Sequence, residues 1–297
     1  MIITVASGKG GTGKTTVATS LAVTLPADVF LDCDVEAPDA HLFLRPTLEH
    51  FKNVDLLIPE VNLEKCGACG TCDEVCQYNA IVLLNESPLV FPVLCHGCGS
   101  CTLNCPEGAI REAPRTLGAL ESGTAIGDIQ FAQGLLNVGE PMAVPVIKQL
   151  KAWKSKGEGA VEIRDAPPGT SCPVVEAIRG SDFVLLVTEP TPFGLHDLKL
   201  AAQVVEELNL PAGVIVNRDD QNMTSEVDAF CREQGLPILM RIPLERTIAE
   251  GTARGQTLIE IYPAYKDRFQ TMFDEILHRS QIHPDQNRYL TSDERVP

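Results

Sequence analysis

Two runs of four cysteines lie close together in the chain: Cys66, Cys69, Cys72 and Cys76, then Cys95, Cys98, Cys101 and Cys105. Each run has the spacing C-x2-C-x2-C-x3-C. Three thiolates so spaced surround one corner of an iron–sulfur cubane, and the fourth reaches the neighbouring cubane. The pattern predicts two cross-ligated [4Fe-4S] clusters, one on Cys66, Cys69, Cys72 and Cys105, the other on Cys95, Cys98, Cys101 and Cys76. Zinc is the alternative, but a zinc ion is held by paired C-x2-C units and has no use for the third and fourth thiols at these offsets. Cysteines grouped in this way belong to a reducing compartment and metal ligation, not to a disulfide framework.

A second constellation stands at the start of the chain. Gly8-Lys9-Gly10-Gly11-Thr12-Gly13-Lys14-Thr15-Thr16 matches the phosphate-binding pattern G-x-x-x-x-G-K-T/S. The glycines allow backbone N–H groups to converge on phosphate oxygens, and a following helix adds its positive end. Lys14 neutralises the β- and γ-phosphates, and the Thr15 hydroxyl reaches Mg²⁺.

Such a loop needs a strand before it and a helix after it. IITVA (2–6) is a short β-branched run, and 14–25 carries Val17, Leu21 and Leu25 at helical spacing. DVFLDCD (28–34) reads as the next buried strand, ending in Asp32-Cys33-Asp34, followed later by AVEIRD (160–165), FVLLVTE (183–189), AGVIVN (212–217) and PILMRIP (237–243). Helical stretches at 195–209 and 225–235 lie between these runs, so the expectation is a doubly wound, mostly parallel α/β sheet with right-handed crossovers. Residues 261–277 place Tyr265, Phe269, Phe273 and Ile276 on one helical face, read as core-packing because the polar face mixes both signs of charge.

Between about Pro59 and Pro114 the alternation stops. Each half of that stretch has four cysteines followed shortly by Ala-Ile, at Ala80-Ile81 and Ala109-Ile110, an internal duplication of a cluster-binding half. The expected organisation is a discontinuous ATPase unit (1–58 and 115–280), a small α+β insertion (59–114) emerging near the carboxyl edge of the sheet, and a mobile polar tail (281–297).

The net charge of −16 excludes the clustered Lys and Arg on which nonspecific nucleic-acid binding depends. Within the insertion Glu60, Glu64, Asp73, Glu74, Glu86, Glu107 and Glu112 outnumber Lys65 and Arg111, which suits steering of a basic redox partner or a merely solvated surface. No apolar run approaches the roughly 20 residues of a membrane span, and the first residues lack a secretory leader. A cytoplasmic protein is expected.

With Lys9 included, the loop reads K-G-G-x-G-K-T and resembles the deviant Walker A loop of the MinD, Mrp and ParA ATPases. The resemblance implies an ATP-sandwich homodimer in which Lys9 reaches the phosphates bound by the partner subunit. Asp32 and Asp34 resemble the aspartates of switch I, with Asp34 polarising the attacking water and Asp32, like Asp39, left as structural. Asp165, before Ala166-Pro167-Pro168-Gly169-Thr170, is similar to the Walker B and switch II segment; it would hold Mg²⁺ through water while Gly169 senses the γ-phosphate. Asn217-Arg218 resembles the adenine-reading position, and Arg241-Ile242-Pro243 the neighbourhood of the base. Thr188-Glu189-Pro190-Thr191-Pro192-Phe193-Gly194 also looks like the family.

The insertion resembles a bacterial two-cluster ferredoxin, as in the subgroup of MinD-type ATPases that carry one. The second run keeps Cys105-Pro106, whereas the first has Cys76-Gln77 in place of Cys-Pro. Cys33 and Cys231 read as packing residues. Cys172 has a spacing from Asp165 similar to a cluster ligand of the nitrogenase iron protein, but the upstream partner cysteine is missing, as is the late C-x2-C pair of Mrp-type carriers. His96 reads as a neighbour of the cluster or a solvent-facing side chain. The implied function is a slow, partner-stimulated, Mg²⁺-dependent ATPase whose ATP/ADP state controls the ferredoxin-like module, for electron delivery or metallocluster assembly with a partner protein. The alternative is a MinD-like spatial organiser with redox-sensing or structural clusters.

Overall fold

The computed structural model describes residues 1–25, 27–153, 160–220 and 225–281. The tail expected to be mobile lies, from residue 282 onward, outside them. The chain opens with β1 (Ile2–Ala6), α1 (Lys14–Thr24), β2 (Val29–Asp32) and α2 (His41–Leu44). Next come β3 (Thr47–Val61), α3 (Thr71–Glu74), β4 (Ile81–Leu84), β5 (Ser87–Val90), α4 (Ser100–Leu103) and β6 (Ile110–Thr124). Alternation then resumes with β7 (Gln130–Leu136), α5 (Val144–Lys151), β8 (Glu162–Asp165), α6 (Cys172–Ile178), β9 (Phe183–Thr188) and α7 (Pro192–Glu207). The last elements are β10 (Ala212–Asp219), α8 (Ser225–Glu233), β11 (Ile238–Pro243), α9 (Arg246–Thr252), α10 (Leu258–Ile261) and α11 (Tyr265–Gln281).

Nine strands form one sheet in the order β11-β10-β9-β1-β8-β2-β7-β6-β3. From β11 to β7 all neighbours are parallel, as β-α-β alternation requires. Central strands are buried on both faces, and the period of two divides their side chains between two cores. Phe183, Leu185 and Val187 join Ile3, Phe30, Phe131 and Phe269 on one face, while Val184 and Leu186 join Leu31, Ala132, Leu198 and Val205 on the other. Burying each such side chain contributes about 1.5–3 kcal/mol. Tyr265, Phe269, Met272 and Ile276 of α11 are buried in the first core, so this helix packs inward. Among the described residues no helix is long and apolar enough to cross a membrane.

The edge made by β7, β6 and β3 has no counterpart in the sequence reading. β6 runs antiparallel to β7, and β3 antiparallel to β6. β7 ends where Leu136 pairs with Gly118; beyond it β3 and β6 continue as a two-stranded ribbon as far as the pair Val61 and Ile110. The ribbon leaves on the carboxyl side of the parallel strands, where the phosphate loop also lies, and both strands pass uninterrupted through positions 58–59 and 114–115. Taking residues 110–117 at roughly 3.3 Å each, it extends about 25 Å past the end of β7. At its tip Cys72, Cys101, Ile81 and Ile110 form a small core with Val61, Val75 and Val90, and β4 and β5 make a separate hairpin.

Candidate functional site

The loop between β1 and α1 is shaped by its glycines. Gly13 has φ 88°, and a Cβ there would stand 2.2 Å from Nδ2 of Asn217. That amide, from β10, donates to the Thr12 carbonyl at 2.7 Å, which fastens the loop to a strand two positions across the sheet. Gly10 lies under Pro168, and the Gly169 N–H donates to the Ser7 carbonyl at 3.0 Å, so Gly8 to Gly13 and the segment after Asp165 form one surface. The Thr12 hydroxyl is buried without a hydrogen-bond partner. An acceptor such as a phosphate oxygen would satisfy it.

Lys14 and Thr15 open α1 and point at the end of β8. Lys14 Nζ lies 2.9 Å from Asp165 Oδ1 and 3.8 Å from Asp34 Oδ2, while the Thr15 hydroxyl donates to Asp165 Oδ2 at 2.6 Å. Asp32 accepts from the backbone N–H groups of Asp34 (3.1 Å) and Ala40 (3.0 Å), so it braces the segment that carries Asp34. Burial raises Asp34 to about 6, held there against the opposing pull of Lys14 and helped by Asp165. Burial also pushes Asp165 up, against Lys14 and Thr15, and drives Asp32 well above the carboxylate range, with Asp165 adding to it. For Lys14 burial acts downward, but Asp165 and Asp34 outweigh it and the net shift is upward. A buried cation facing crowded carboxylates suits a triphosphate and a divalent cation, which would rebalance both signs.

Beside this cluster a cavity of about 340 Å³ is lined by Gly13, Thr16, Asn217, Arg218 and Pro243 together with Val17, Phe43, Ile242, Leu244 and Leu258. Apolar walls next to a phosphate loop suit a flat base. Arg241, expected here, turns away: it pairs with Asp219 at 3.2 Å and with Asp228, leaving Ile242 and Pro243 on the cavity. Glu189, to which the sequence reading gave no role, lies 3.1 Å from Lys9 Nζ and also holds Arg218. Its only sequence signal was its place beside Thr188 and Pro190.

At the ribbon tip Cys66, Cys69, Cys72 and Cys105 line one cavity, and Cys76, Cys95, Cys98 and Cys101 line another. The fourth thiols are thus exchanged between the runs. Among the described residues no three His, Cys, Asp or Glu side chains are grouped so as to hold a single metal ion; the thiols stand around the rims of cavities. The duplication extends to hydrogen bonding. The Ala80 N–H donates to Cys76 Sγ at 3.2 Å and the Ala109 N–H to Cys105 Sγ at 3.3 Å. At Cys76 burial acts upward, but backbone donors from Tyr78, Ala80, Ile81 and Asn79 prevail and lower its pKa. Thr71, through hydroxyl and backbone, lowers Cys69. Backbone N–H groups aimed at sulfur, and shared cavities rather than paired thiols, fit a thiolate-bound cluster. His96 stacks on Tyr78 with ring centres 3.8 Å apart, beside the second cavity.

Three further thiols stand apart. Cys33 and Cys231 are buried, and burial raises them to about 12 and about 11. Cys172 opens α6 and is exposed.

Residues 3–259 match the CbiA family, the CobQ/CobB/MinD/ParA nucleotide binding domain. An uncharacterised protein of Methanocaldococcus jannaschii is 32% identical over 73% of this chain and 80% of its own length. The iron-sulfur cluster carrier protein of Aquifex aeolicus is 24% identical over 88% of this chain and 62% of its own. Among solved structures, the septum site-determining protein MinD of Pyrococcus horikoshii, complexed with Mg-ADP, shares the fold with a TM-score of 0.54 at 20% identity, covering 93% of this chain and 95% of that one. Since the family match spans β1 to α10 and takes in the phosphate loop, Asp34, Asp165 and Asn217, the chain belongs to the CobQ/CobB/MinD/ParA nucleotide-binding family.

Proposed function

We propose that the chain is an ATP-binding and ATP-hydrolysing dimeric switch that couples nucleotide state to a bis-[4Fe-4S] ferredoxin-like insertion, for electron delivery to, or metallocluster assembly with, a partner protein. One observation carries this reading: the carboxyl edge of a single sheet bears both the Lys14, Thr15 and Asp165 cluster and the ribbon whose tip gathers two sets of four thiols.

Residues 1–58 and 115–280 form the ATPase unit, and 59–114 the insertion. Lys14 is held by Asp165 and Asp34. Phosphate oxygens compete for Lys14 and for the N–H groups of Gly10 to Thr15, which frees the Asp34 carboxylate to accept a proton from the attacking water. Thr15 and Asp165 would hold Mg²⁺, and Gly169 would sense the γ-phosphate. Asn217, Arg218 and Pro243 bind the base. Lys9, held in its own protomer by Glu189, is free to turn to a partner subunit when the ATP sandwich closes. Cys66, Cys69, Cys72 and Cys105 would hold one cluster, and Cys76, Cys95, Cys98 and Cys101 the other; bound there, the clusters supply one-electron chemistry. The similarity to the iron-sulfur cluster carrier protein of Aquifex aeolicus supports cluster chemistry. The acidic insertion favours a basic partner and no nucleic acid, and reduced thiols favour the cytoplasm.

The test is reconstitution under anaerobic conditions, with iron and sulfide determined per chain and ATP turnover followed with clusters oxidised and reduced. About eight iron atoms per chain and a redox-dependent rate are expected. Asp34→Ala is expected to keep ATP binding and lose turnover, and in that ATP-locked form to retain the partner. Chains that take up no iron, or whose turnover and nucleotide affinity ignore cluster redox state, would overturn the coupling. Redox-independent patterning at a pole or division site would favour the spatial organiser instead.

A further inference from the structure

The two thiol sites differ in how they connect to the ATPase body. The first cavity is walled by Val61, Leu83, Pro88, Pro106, Ala109 and Ile110, all at or beyond the far end of the ribbon. The second is walled in part by Leu57, Pro59 and Glu112, nearer its root. Leu57 and Val61 are four positions apart, about 13 Å along a strand. Inside the second site Gly97, between Cys95 and Cys98, has φ 65° and is pressed against the ribbon: a Cβ there would stand 2.6 Å from Leu56 Cδ1 and 3.0 Å from the Leu57 carbonyl. The Gly97 N–H lies 3.4 Å from Cys95 Sγ as donor.

Leu56 also packs on the core that contains Val35, Leu117 and Val146. Val35 follows Asp34 directly. Its carbonyl accepts from the Leu136 N–H at 2.8 Å, and its side chain lies over Gly134 at a distance that would admit no Cβ. At the end of β7 the Asn137 N–H donates to the Leu117 carbonyl at 2.9 Å, and its side-chain amide to the Thr116 carbonyl at 3.1 Å. Arg115, which pairs across the ribbon with Leu56, is clamped in two hydrogen bonds by Glu140 at 2.6 and 3.0 Å. An unbroken chain of close contacts therefore runs from Asp34 through Val35, β7 and β6 to Leu56 and Gly97. The first run meets the ribbon only at its far end, where Cys72 packs with Ile110 and Val61, and a Cβ at Gly67 or Gly70 would stand 3.7 Å from its nearest neighbour, Glu107 or Leu83, in ordinary contact.

We infer that the Asp34–Val35 segment and Leu56 transmit nucleotide state to the second thiol site (Cys76, Cys95, Cys98 and Cys101) and leave the first unaffected. The inference rests on the proposed function. Its physical basis is the competition for Lys14, whose ammonium is 3.8 Å from Asp34 here and must turn to phosphate when ATP binds. Asp34 loses that partner in one state and keeps it in the other, so the two states make different contacts with the segment joined to β7. Leu56 is a positioning residue: it lines neither the thiol cavities nor the cavity beside the phosphate loop and acts through the Gly97 loop.

The test uses the full chain carrying both clusters, reduced, with EPR spectra recorded alone, with the Mg²⁺ complex of a non-hydrolysable ATP analogue and with Mg-ADP. Cys98→Ser and Cys69→Ser assign the two signals. The expected result is a nucleotide-dependent shift in line shape confined to the signal that Cys98→Ser removes. Leu56→Ala, and the milder Leu56→Met should Ala unsettle the ribbon, should abolish or shrink that shift while a fluorescent ATP analogue binds as tightly as before. Hydrogen exchange on the same samples should show the 95–99 segment responding to nucleotide and 66–70 not responding. A shift in the other signal, in both alike or in neither, or one that survives Leu56→Ala, would overturn the inference. A chain that binds no cluster or no ATP fails before any spectrum is compared, and would take the proposed function down with it.

Discussion

Gly97→Ala is the sharpest test of how tightly the ribbon holds the second thiol site. An L-residue at φ 65° costs about 1–2 kcal/mol. The added methyl would then meet Leu56 Cδ1 at 2.6 Å and the Leu57 carbonyl at 3.0 Å; Leu56 can yield only by disturbing the core it packs on, at about 1–3 kcal/mol. Together these give about 2–4 kcal/mol, since Leu56 is only partly buried and recovers some of the strain. That multiplies local opening of the loop about 30- to 700-fold. Gly108→Ala supplies the control: its φ is 56° and nothing lies within 4 Å of its Cβ position, so only the backbone cost of about 1–2 kcal/mol applies. After anaerobic reconstitution, iron and sulfide would be assayed during a chelator challenge. Gly97→Ala should fall from about eight to about four iron atoms per chain, losing the signal assigned to Cys98, with ATP binding unchanged. Gly108→Ala should stay near the parent. Equal behaviour of the two variants, or a Gly97→Ala chain as resistant as the parent, would refute the packing argument.

Burial raises Asp34 to about 6 from 3.8, so between those values the fold keeps a proton there that the unfolded chain releases. The corresponding stability is present below about pH 4 and is lost as pH rises through about 6; in the proposed mechanism Asp34 is ionised to take a proton from water, so kcat/KM for ATP should show an acid limb near pH 6, and a limb near pH 4 would contradict the environment described. Asn217→Ala removes the 2.7 Å bond to the Thr12 carbonyl, a loss of about 1 kcal/mol, so ATP affinity measured by fluorescence titration should weaken about fivefold. Glu162→Gln leaves the buried Arg164 guanidinium, now 2.6 Å from Glu162, without its counter-charge; urea unfolding should show a loss of about 3–5 kcal/mol. Thr257→Ala breaks the capping box at the start of α10 and should cost about 1 kcal/mol by the same measurement.

The parallel part of the fold was legible because its strands are buried on both faces. Runs such as Phe183 to Thr188, every residue of which is buried, announce themselves by composition alone. The antiparallel edge was not legible for the opposite reason. Residues 47–53 of β3 are all exposed, so no alternation of apolar and polar side chains marks that strand. Pro59 and Pro114, which punctuate the sequence as loop residues do, sit within the ribbon, where each strand has a single neighbour and proline is tolerated as on any edge strand. The phosphate loop and the cysteine runs were legible because their chemistry is carried by local spacing. The partnership of Glu189 with Lys9 and Arg218 was not, since it joins positions that only the folded sheet brings together.

Val61 and Ile110 form the last rung of the ribbon, and directly opposed residues on antiparallel strands have Cα atoms only about 5 Å apart. Everything between them enters and leaves the molecule through that one rung. Such a segment can be cut out and its ends rejoined by a two-residue turn without stretching the sheet, which would leave a long β-hairpin on an otherwise complete nucleotide-binding body. Conversely, any compact unit whose own ends lie side by side could be spliced in at the same rung. The geometry makes the tip an exchangeable tool head, so nucleotide-binding proteins of this architecture could diversify by grafting rather than by remodelling their nucleotide sites.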